Sequence, residues 1–476
     1  MNPLNASANL PMLPPSSRIK RGWLLAGFGC GLLTTLLVLT QTTLPRQAAF
    51  MAGVFVVTAF LWITEALPLF ATALLAVLLQ IILLANPGRW PGLGFAGSNG
   101  PNTTAILSGA VEPVLLLFFG GFVMARAAES TGLDKTLSAA LLRRMGNRPG
   151  NLLAGVMLIT TALSCFMSNT ATTAMVLTLI VPLVAAMPPG HSFRKALTLC
   201  VPLTANIGGL STPVASPPNA IAIGLLQEHS TGIGFAKWMM FSLPLMGVLL
   251  LLLWRLLLFL HPPGDVMPIV ATQSGPLSRN GRITLGIFAV AFALWFTDVW
   301  HGLPAAVVAG GAVIALIAAG VVGKADVDKI EWNILILIMG GLSLGTGLQM
   351  TGLSDVVANF FTRHALPPLL FLTALVLVTI LIGTFMSNTA AANLLLPVVV
   401  AMTVGDTFGL SLHPAVLGVA FAASLGMSLP ISTPPNAMAY ARGEFTTWEL
   451  ARLGLIIAAA ALVLIPLWLW LMKGWL

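Results

Sequence analysis

Charge is what this sequence has least of. Lys, Arg, Asp and Glu make up 8% of its 476 residues, against 57% hydrophobic residues. A soluble domain carries about a quarter charged residues, so a soluble fold is excluded. A polytopic membrane protein is implied instead, because several apolar runs exceed the roughly 20 residues needed to cross a bilayer. Cysteine is equally scarce. Cys30, Cys165 and Cys200 lie in apolar segments without paired spacing, which argues against a disulfide framework or a metal site and for buried thiols. The His-Glu-x-x-His zinc motif and the Gly-x-Gly-Asp aspartyl motif are both missing, which points away from an intramembrane enzyme. The net charge of +8 needs no nucleic-acid partner. Lys and Arg collect in the cytoplasmic loops of membrane proteins in any case. No cleavable signal is expected, and residues 1–21 read as a polar, Pro-rich cytoplasmic tail.

The long apolar runs are all-α material. About eleven spans are expected, near 22–41, 47–66, 68–86, 113–133, 196–226, 236–260, 283–300, 303–322, 332–353, 414–441 and 448–472. Two further apolar segments, 150–187 and 367–403, each break in the middle and read as re-entrant hairpins. Irregular backbone at membrane depth is tolerated where it lines a cavity or is buried in protein. With the N-terminus inside, 15 basic residues fall in cytoplasmic segments: Arg18, Lys20, Arg21, Lys135, Arg143, Arg144, Arg148, Arg194, Lys195, Arg279, Arg282, Lys324, Lys329, Arg442 and Arg452. Only 5 fall outside: Arg46, Arg89, Lys237, Arg363 and Lys473. That bias follows the positive-inside rule, and counting either hairpin as a span spoils it. The first hairpin then opens to the cytoplasm and the second outward.

The chain contains its own pattern twice. Trp62-Ile63-Thr64-Glu65 with Pro68 answers Trp295-Phe296-Thr297-Asp298 with Pro304. Gly120-Gly121 and Thr131-Gly132-Leu133 answer Gly340-Gly341 and Thr351-Gly352-Leu353. Phe166-Met167-Ser168-Asn169-Thr170-Ala171 answers Phe385-Met386-Ser387-Asn388-Thr389-Ala390, and Ser216-Pro217-Pro218-Asn219-Ala220 answers Thr433-Pro434-Pro435-Asn436-Ala437. A first span at 22–46 stands outside the repeat. The two units, 47–265 and 283–476, each hold an odd number of spans and are joined by a cytoplasmic linker at 266–282. The second unit is therefore expected to run upside down, the inverted-repeat plan of secondary transporters.

The repeated polar clusters carry the chemistry. Proline removes a backbone donor and disfavours helix in the residue before it, so carbonyls near Pro213, Pro217, Pro430 and Pro434 are left free. Those carbonyls, with Ser, Thr and Asn oxygens, suit a hard cation such as sodium. Helix N-termini and the same side chains offer donors to an anion. Neither cluster contains Lys, Arg, Asp or Glu, which favours a cation over a proton as coupling partner. Asn219 and Asn436 either brace the helix after the proline pair or belong to the site. Arg126 and Glu129, three apart, are expected to pair on one helix face. Glu65 and Asp298, at span ends, are expected to be structural.

In combination these motifs resemble the divalent anion:sodium symporter family, the group of INDY-type di- and tricarboxylate carriers. The resemblance covers nearly the whole chain from about residue 22. It implies a homodimer in the inner (plasma) membrane, each protomer having a scaffold domain and a transport domain that moves like an elevator. It implies sodium-coupled symport of a small divalent anion: a C4-dicarboxylate such as succinate or malate, citrate, or sulfate. Carried over by motif, Ser164, Ser168, Asn169 and the backbone at Ala215 make the first sodium site. Gly383, Asn388 and the backbone near Ser432 and Pro434 make the second. Asn169, Thr170, Ser216, Asn388, Thr389 and Thr433 contact substrate. Two positions depart from the family pattern. Gly383 stands where Thr is frequent, with Thr384 next door, and Ala215 stands where Gly is common. The first departure keeps open an obligate anion exchanger of the same fold. A channel is disfavoured by the paired, inverted site, which suits alternating access.

Overall fold

The computed structural model describes residues 20–41, 44–93, 102–145, 148–229, 231–263, 276–356, 367–403 and 410–475. The tail before residue 20 with Arg18, residues 266–275 of the expected linker, and Arg363 lie outside the described residues. Among the described residues every regular element is helical. Seven of the described helices are long and apolar enough to cross a membrane.

The chain opens with α1 (Arg21–Gln41), which packs on α2 (Arg46–Thr64). Helix α3 (Leu69–Gln80) continues into a π-helical turn over Ile81–Ala85. Between the spans expected at 68–86 and 113–133 lies a short helix, α4 (Thr103–Ala110). Asn102 starts α4 by accepting a hydrogen bond from the Ala105 N–H at 2.8 Å, a standard N-cap. Helix α5 (Pro113–Thr131) ends at Gly132 in the left-handed region (φ 68°), and α6 (Leu133–Met145) turns away from it. The first segment read as a hairpin is two helices, α7 (Pro149–Ser164) and α8 (Asn169–Ala185), in mutual contact.

The span at 196–226, expected to be broken by its prolines and glycines, is two helices, α9 (Ser192–Gly208) and α10 (Pro217–Glu228). Residues 209–216 between them are not helical, because Pro213 and the Pro217-Pro218 pair prevent a continuous ladder. Then follow α11 (Phe235–Leu260), α12 (Arg279–Phe296), α13 (Asp298–His301), α14 (Ala305–Ala318), α15 (Lys324–Val327) and α16 (Trp332–Met350). The second half repeats the broken pattern. It has α17 (Pro368–Phe385) and α18 (Asn388–Thr403), then α19 (Leu412–Ser424) and α20 (Pro434–Tyr440), and it closes with α21 (Thr447–Leu471).

Repeated motifs make repeated contacts. Trp62 is buried and donates to the Leu69 carbonyl at 3.2 Å, just past Pro68. Trp295 is buried and donates to the Ala305 carbonyl at 3.0 Å, just past Pro304. Each tryptophan thus ties its helix to the start of the next. The two glycine pairs allow close helix crossings that link the halves. A Cβ on Gly120 of α5 would lie 2.6 Å from the Ala309 Cβ of α14. A Cβ on Gly340 of α16 would lie 2.4 Å from the Ala73 Cβ of α3. Each glycine-bearing helix therefore packs on a helix of the opposite half.

Ion pairs fix the periphery. Arg126 contacts Glu129 at 2.9 Å, as expected, and also Asp326 at 3.3 Å. Arg194 grips Glu444 with two nitrogens, its Nε at 2.9 Å from Oε2, joining α9 to the turn before α21. The Arg194 guanidinium holds the Glu444 carboxyl below its ordinary value of 4.5. A carboxylate depressed in this way stabilises the fold above its unfolded pKa and ceases to as pH falls through its folded value.

Two outcomes are expected. Gly340→Ala should lower the detergent melting temperature, because overpacking costs about 1–3 kcal/mol. Gly311→Ala, with nothing within 4 Å of the added Cβ, should not. Equal melting temperatures for the two would remove the crossing from the stabilising contacts. Glu444→Gln should flatten part of the acid-induced loss of melting temperature below about pH 4.5, and an unchanged profile would discount the ion pair.

Candidate functional site

The helix breaks would leave buried backbone groups without partners, and specific side chains supply them. Asn219 donates from its amide to the carbonyls of Gly209 and Thr212, both at 2.8 Å. Asn436 does the same in the second half, to Met427 at 2.8 Å and Leu429 at 2.9 Å. Both asparagines thus brace the breaks, and neither lines the cavity below. Trp238 and Ser242 of α11 donate to the Leu210 and Ser211 carbonyls at 3.1 and 2.7 Å. The breaks are also tied to the α7–α8 and α17–α18 turns. Thr212 Oγ1 donates to the Cys165 carbonyl at 2.6 Å, and Ser432 Oγ donates to the Thr384 carbonyl at 2.6 Å.

A cavity of about 530 Å³ lies where these elements meet. Helices α8, α10, α18 and α20 all begin at its wall. Its lining includes Ser168, Asn169, Thr170, Ala215, Ser216, Asn388, Thr389, Thr433 and Pro434. The structure thus brings together both Ser-Asn-Thr copies and both Pro-Pro segments. Ser164, Gly383 and Ser432 lie behind the lining. Phe70, Phe118, Phe122 and Leu337 form an apolar side. Among the described residues no Lys, Arg or His lines the cavity.

Hydrogen bonding assigns a direction to individual groups. Thr433 Oγ1 accepts from Asn206 Nδ2 at 3.2 Å and from the Asn436 N–H at 3.3 Å. Both lone pairs are engaged, so its proton is left to donate into the cavity, which suits an anion. Ser216 Oγ meets Ser424 Oγ at 3.5 Å, in the repeat-related place. Ser168 is used in the opposite sense. Its Oγ caps α8 by accepting from the Ala171 N–H at 3.3 Å and donates its proton elsewhere, leaving a lone pair.

The residues at the first cluster suit a hard cation. Ser164 Oγ and Asn169 Oδ1 are buried oxygens without a hydrogen-bond partner. They sit against glycine backbone. A Cβ on Gly208 would lie 3.0 Å from the Ser164 Cβ, and one on Gly209 would lie 2.7 Å from Asn169 Nδ2. The second cluster has fewer oxygens. Asn388 Oδ1 is buried and unpartnered, but Gly383 brings no side chain. Thr384, next door, turns its hydroxyl back on its own helix, donating to the Ile380 carbonyl at 2.8 Å within α17.

Among the lining residues that were not expected, one is charged. Glu331 precedes α16 and receives the Ser168 proton, with its Oε1 3.0 Å from Ser168 Oγ. As an acid at the foot of a span it reads as an ordinary loop charge. The repeat held a signal, since Glu112 and Glu331 immediately precede the two helices that carry the Gly-Gly pairs.

The description "Sodium:sulfate symporter transmembrane region" fits residues 26–476 of the chain. The chain belongs to that family. This is the divalent anion:sodium symporter group that the motifs resemble, and the chain is a multi-pass membrane protein within it. The sodium-dependent dicarboxylate transporter SdcS of Staphylococcus saprophyticus is 27% identical over 474 residues, covering 91% of this chain and 88% of the relative. An uncharacterized transporter of Haemophilus influenzae is 30% identical over 430 residues, covering 86% of this chain and 88% of that one. Among solved structures, the Alcanivorax borkumensis YdaH transporter shares the fold with a TM-score of 0.60 at 15% identity, covering 86% of this chain and 99% of that one.

In this symporter-family chain, Asn169 and Asn388 stand at equivalent places in the two clusters. Asn169→Ala and Asn388→Ala should each abolish uptake into proteoliposomes while leaving the gel-filtration profile unchanged. Wild-type uptake by either variant would remove that residue from the site.

Proposed function

We propose that this protein is a secondary active transporter that carries a small divalent anion together with sodium. The preferred cargo is a C4-dicarboxylate such as succinate or malate, with citrate and sulfate as further candidates. The cavity carries the reading. It offers an anion the starts of α8, α10 and α18 and the Thr433 hydroxyl, with no basic side chain to trap it. It also offers a cation the oxygens of Ser164, Ser168 and Asn169 and the backbone at Ala215. A cation beside the anion supplies the attraction that a fixed Arg or Lys would otherwise provide. The named activity of the SdcS relative points to the same class.

On this reading Asn169, Thr170, Ser216, Asn388, Thr389 and Thr433 contact the anion. Asn388, with the backbone at Gly383, Ser432 and Pro434, makes a second and weaker cation site. The segments 150–187 and 367–403 act as re-entrant hairpins opening to the cytoplasm and to the outside. The units 47–265 and 283–476 form an inverted repeat, which with the extra first span makes about eleven spans, and the N-terminus is cytoplasmic. The hairpins and broken helices move as a transport domain against a scaffold, within a homodimer of the plasma membrane. The broken, hairpin-tied helices and the cross-half packing of α5 on α14 and of α16 on α3 support that division.

Purified protein in liposomes tests the reading. Labelled succinate should accumulate under an inward sodium gradient and not in choline, and competition by citrate and sulfate should rank the cargo. Uptake that ignores sodium and requires preloaded anion would overturn symport in favour of exchange.

A further inference from the structure

A carboxylate in a cavity meant for an anion calls for a physical reason. Among the described residues Glu331 is the only charged one that lines the cavity. Among the described residues no Lys or Arg forms an ion pair with it. Arg126, on the neighbouring α5, is engaged by Glu129 at 2.9 Å and Asp326 at 3.3 Å. Glu331 Oε2 is buried and without a hydrogen-bond partner. A buried carboxylate left in this state is costly unless a cation or a proton joins it.

We infer that Glu331 is the charged member of the first cation site. It rests on the sodium-symport reading above. Glu331 accepts the proton of Ser168 Oγ, and the Ala171 N–H takes one Ser168 lone pair. The remaining lone pair is directed at the ion together with Ser164 Oγ and Asn169 Oδ1. The carboxylate therefore acts in two ways. It orients Ser168 as an acceptor, and it places a full negative charge beside an otherwise neutral oxygen cage. It comes from α16, outside the Ser-Asn-Thr framework.

The second cluster has no such group. Glu112, the repeat counterpart of Glu331, does not line the cavity. Ser387 caps α18 through the Ala390 N–H at 3.1 Å, with no carboxylate bonded to it. The two cation sites are thus unequal by one charge as well as by the missing side chain at Gly383. The first should fill at lower sodium concentration.

The test is sodium-dependent thermal stabilisation of the full-length protein in detergent, without substrate, with choline chloride holding ionic strength constant. A ligand that binds the folded state raises the melting temperature according to its affinity. Glu331→Gln keeps the shape and removes the charge, and it should raise the half-saturating sodium concentration about tenfold. Glu331→Asp, which keeps the charge on a shorter arm, should lie between. A wild-type sodium response that Glu331→Gln leaves unchanged would overturn this inference alone. So would an unchanged sodium response with tighter succinate binding, which would mark Glu331 as a tethered competitor of the anion. A wild-type protein with no sodium response would overturn the symport reading and this inference with it. If Glu331→Gln does not purify as a single species, the sodium dependence of uptake in membranes by Glu331→Asp carries the same test.

Discussion

Backbone polar groups away from water must be paired, and the site follows from that constraint. Proline at 213, 217 and 218, and again at 430, 434 and 435, interrupts helices inside the protein. Each interruption frees carbonyls. Asn219 and Asn436 take up two apiece, Trp238 and Ser242 take more, and Thr212 and Ser432 bind the breaks to the neighbouring turns. With that backbone satisfied, the remaining hydroxyls, amides and helix starts are free to face the cavity. The rigidity of the breaks and the polarity of the cavity have one origin.

Much of this was legible in the sequence, because its signals are local. A proline pair stops a helix wherever it sits, so the breaks at 209–216 and 425–433 followed from composition. The doubled Ser-Asn-Thr and Pro-Pro-Asn motifs led to residues that do share one cavity. Other features depend on distant partners and left weaker traces. Helix α4 is short, and α6 is too polar to register among membrane-length runs. The Gly120 and Gly340 crossings need Ala309 and Ala73, which no spacing rule connects to them. Glu331 was missed because burial, which separates a site carboxylate from a loop charge, is not written in its neighbours.

The repeat is a symmetry of scaffolding more than of chemistry. Trp62 and Trp295 do the same work, as do Asn219 and Asn436. At the cavity the copies diverge. Ser168 gives its proton to Glu331 and keeps a lone pair, whereas Thr433 fills both lone pairs and keeps its proton. Hydroxyls of nearly identical chemistry thereby keep opposite ends free, a lone pair in one and a proton in the other. A duplicated frame with unequal fittings can hold a cation and an anion side by side.

The cross-half crossings bear on how such a chain is made. Helix α5 leaves the ribosome long before α14, the helix that covers its glycine face, and α3 waits still longer for α16. Until then those faces have only lipid or a temporary neighbour against them. The first half therefore enters the membrane as an unfinished object, and the last long helices of the chain arrive to find their seats already built. Assembly is a joint event of both halves, and a lesion at one glycine is felt by the half in which it does not lie.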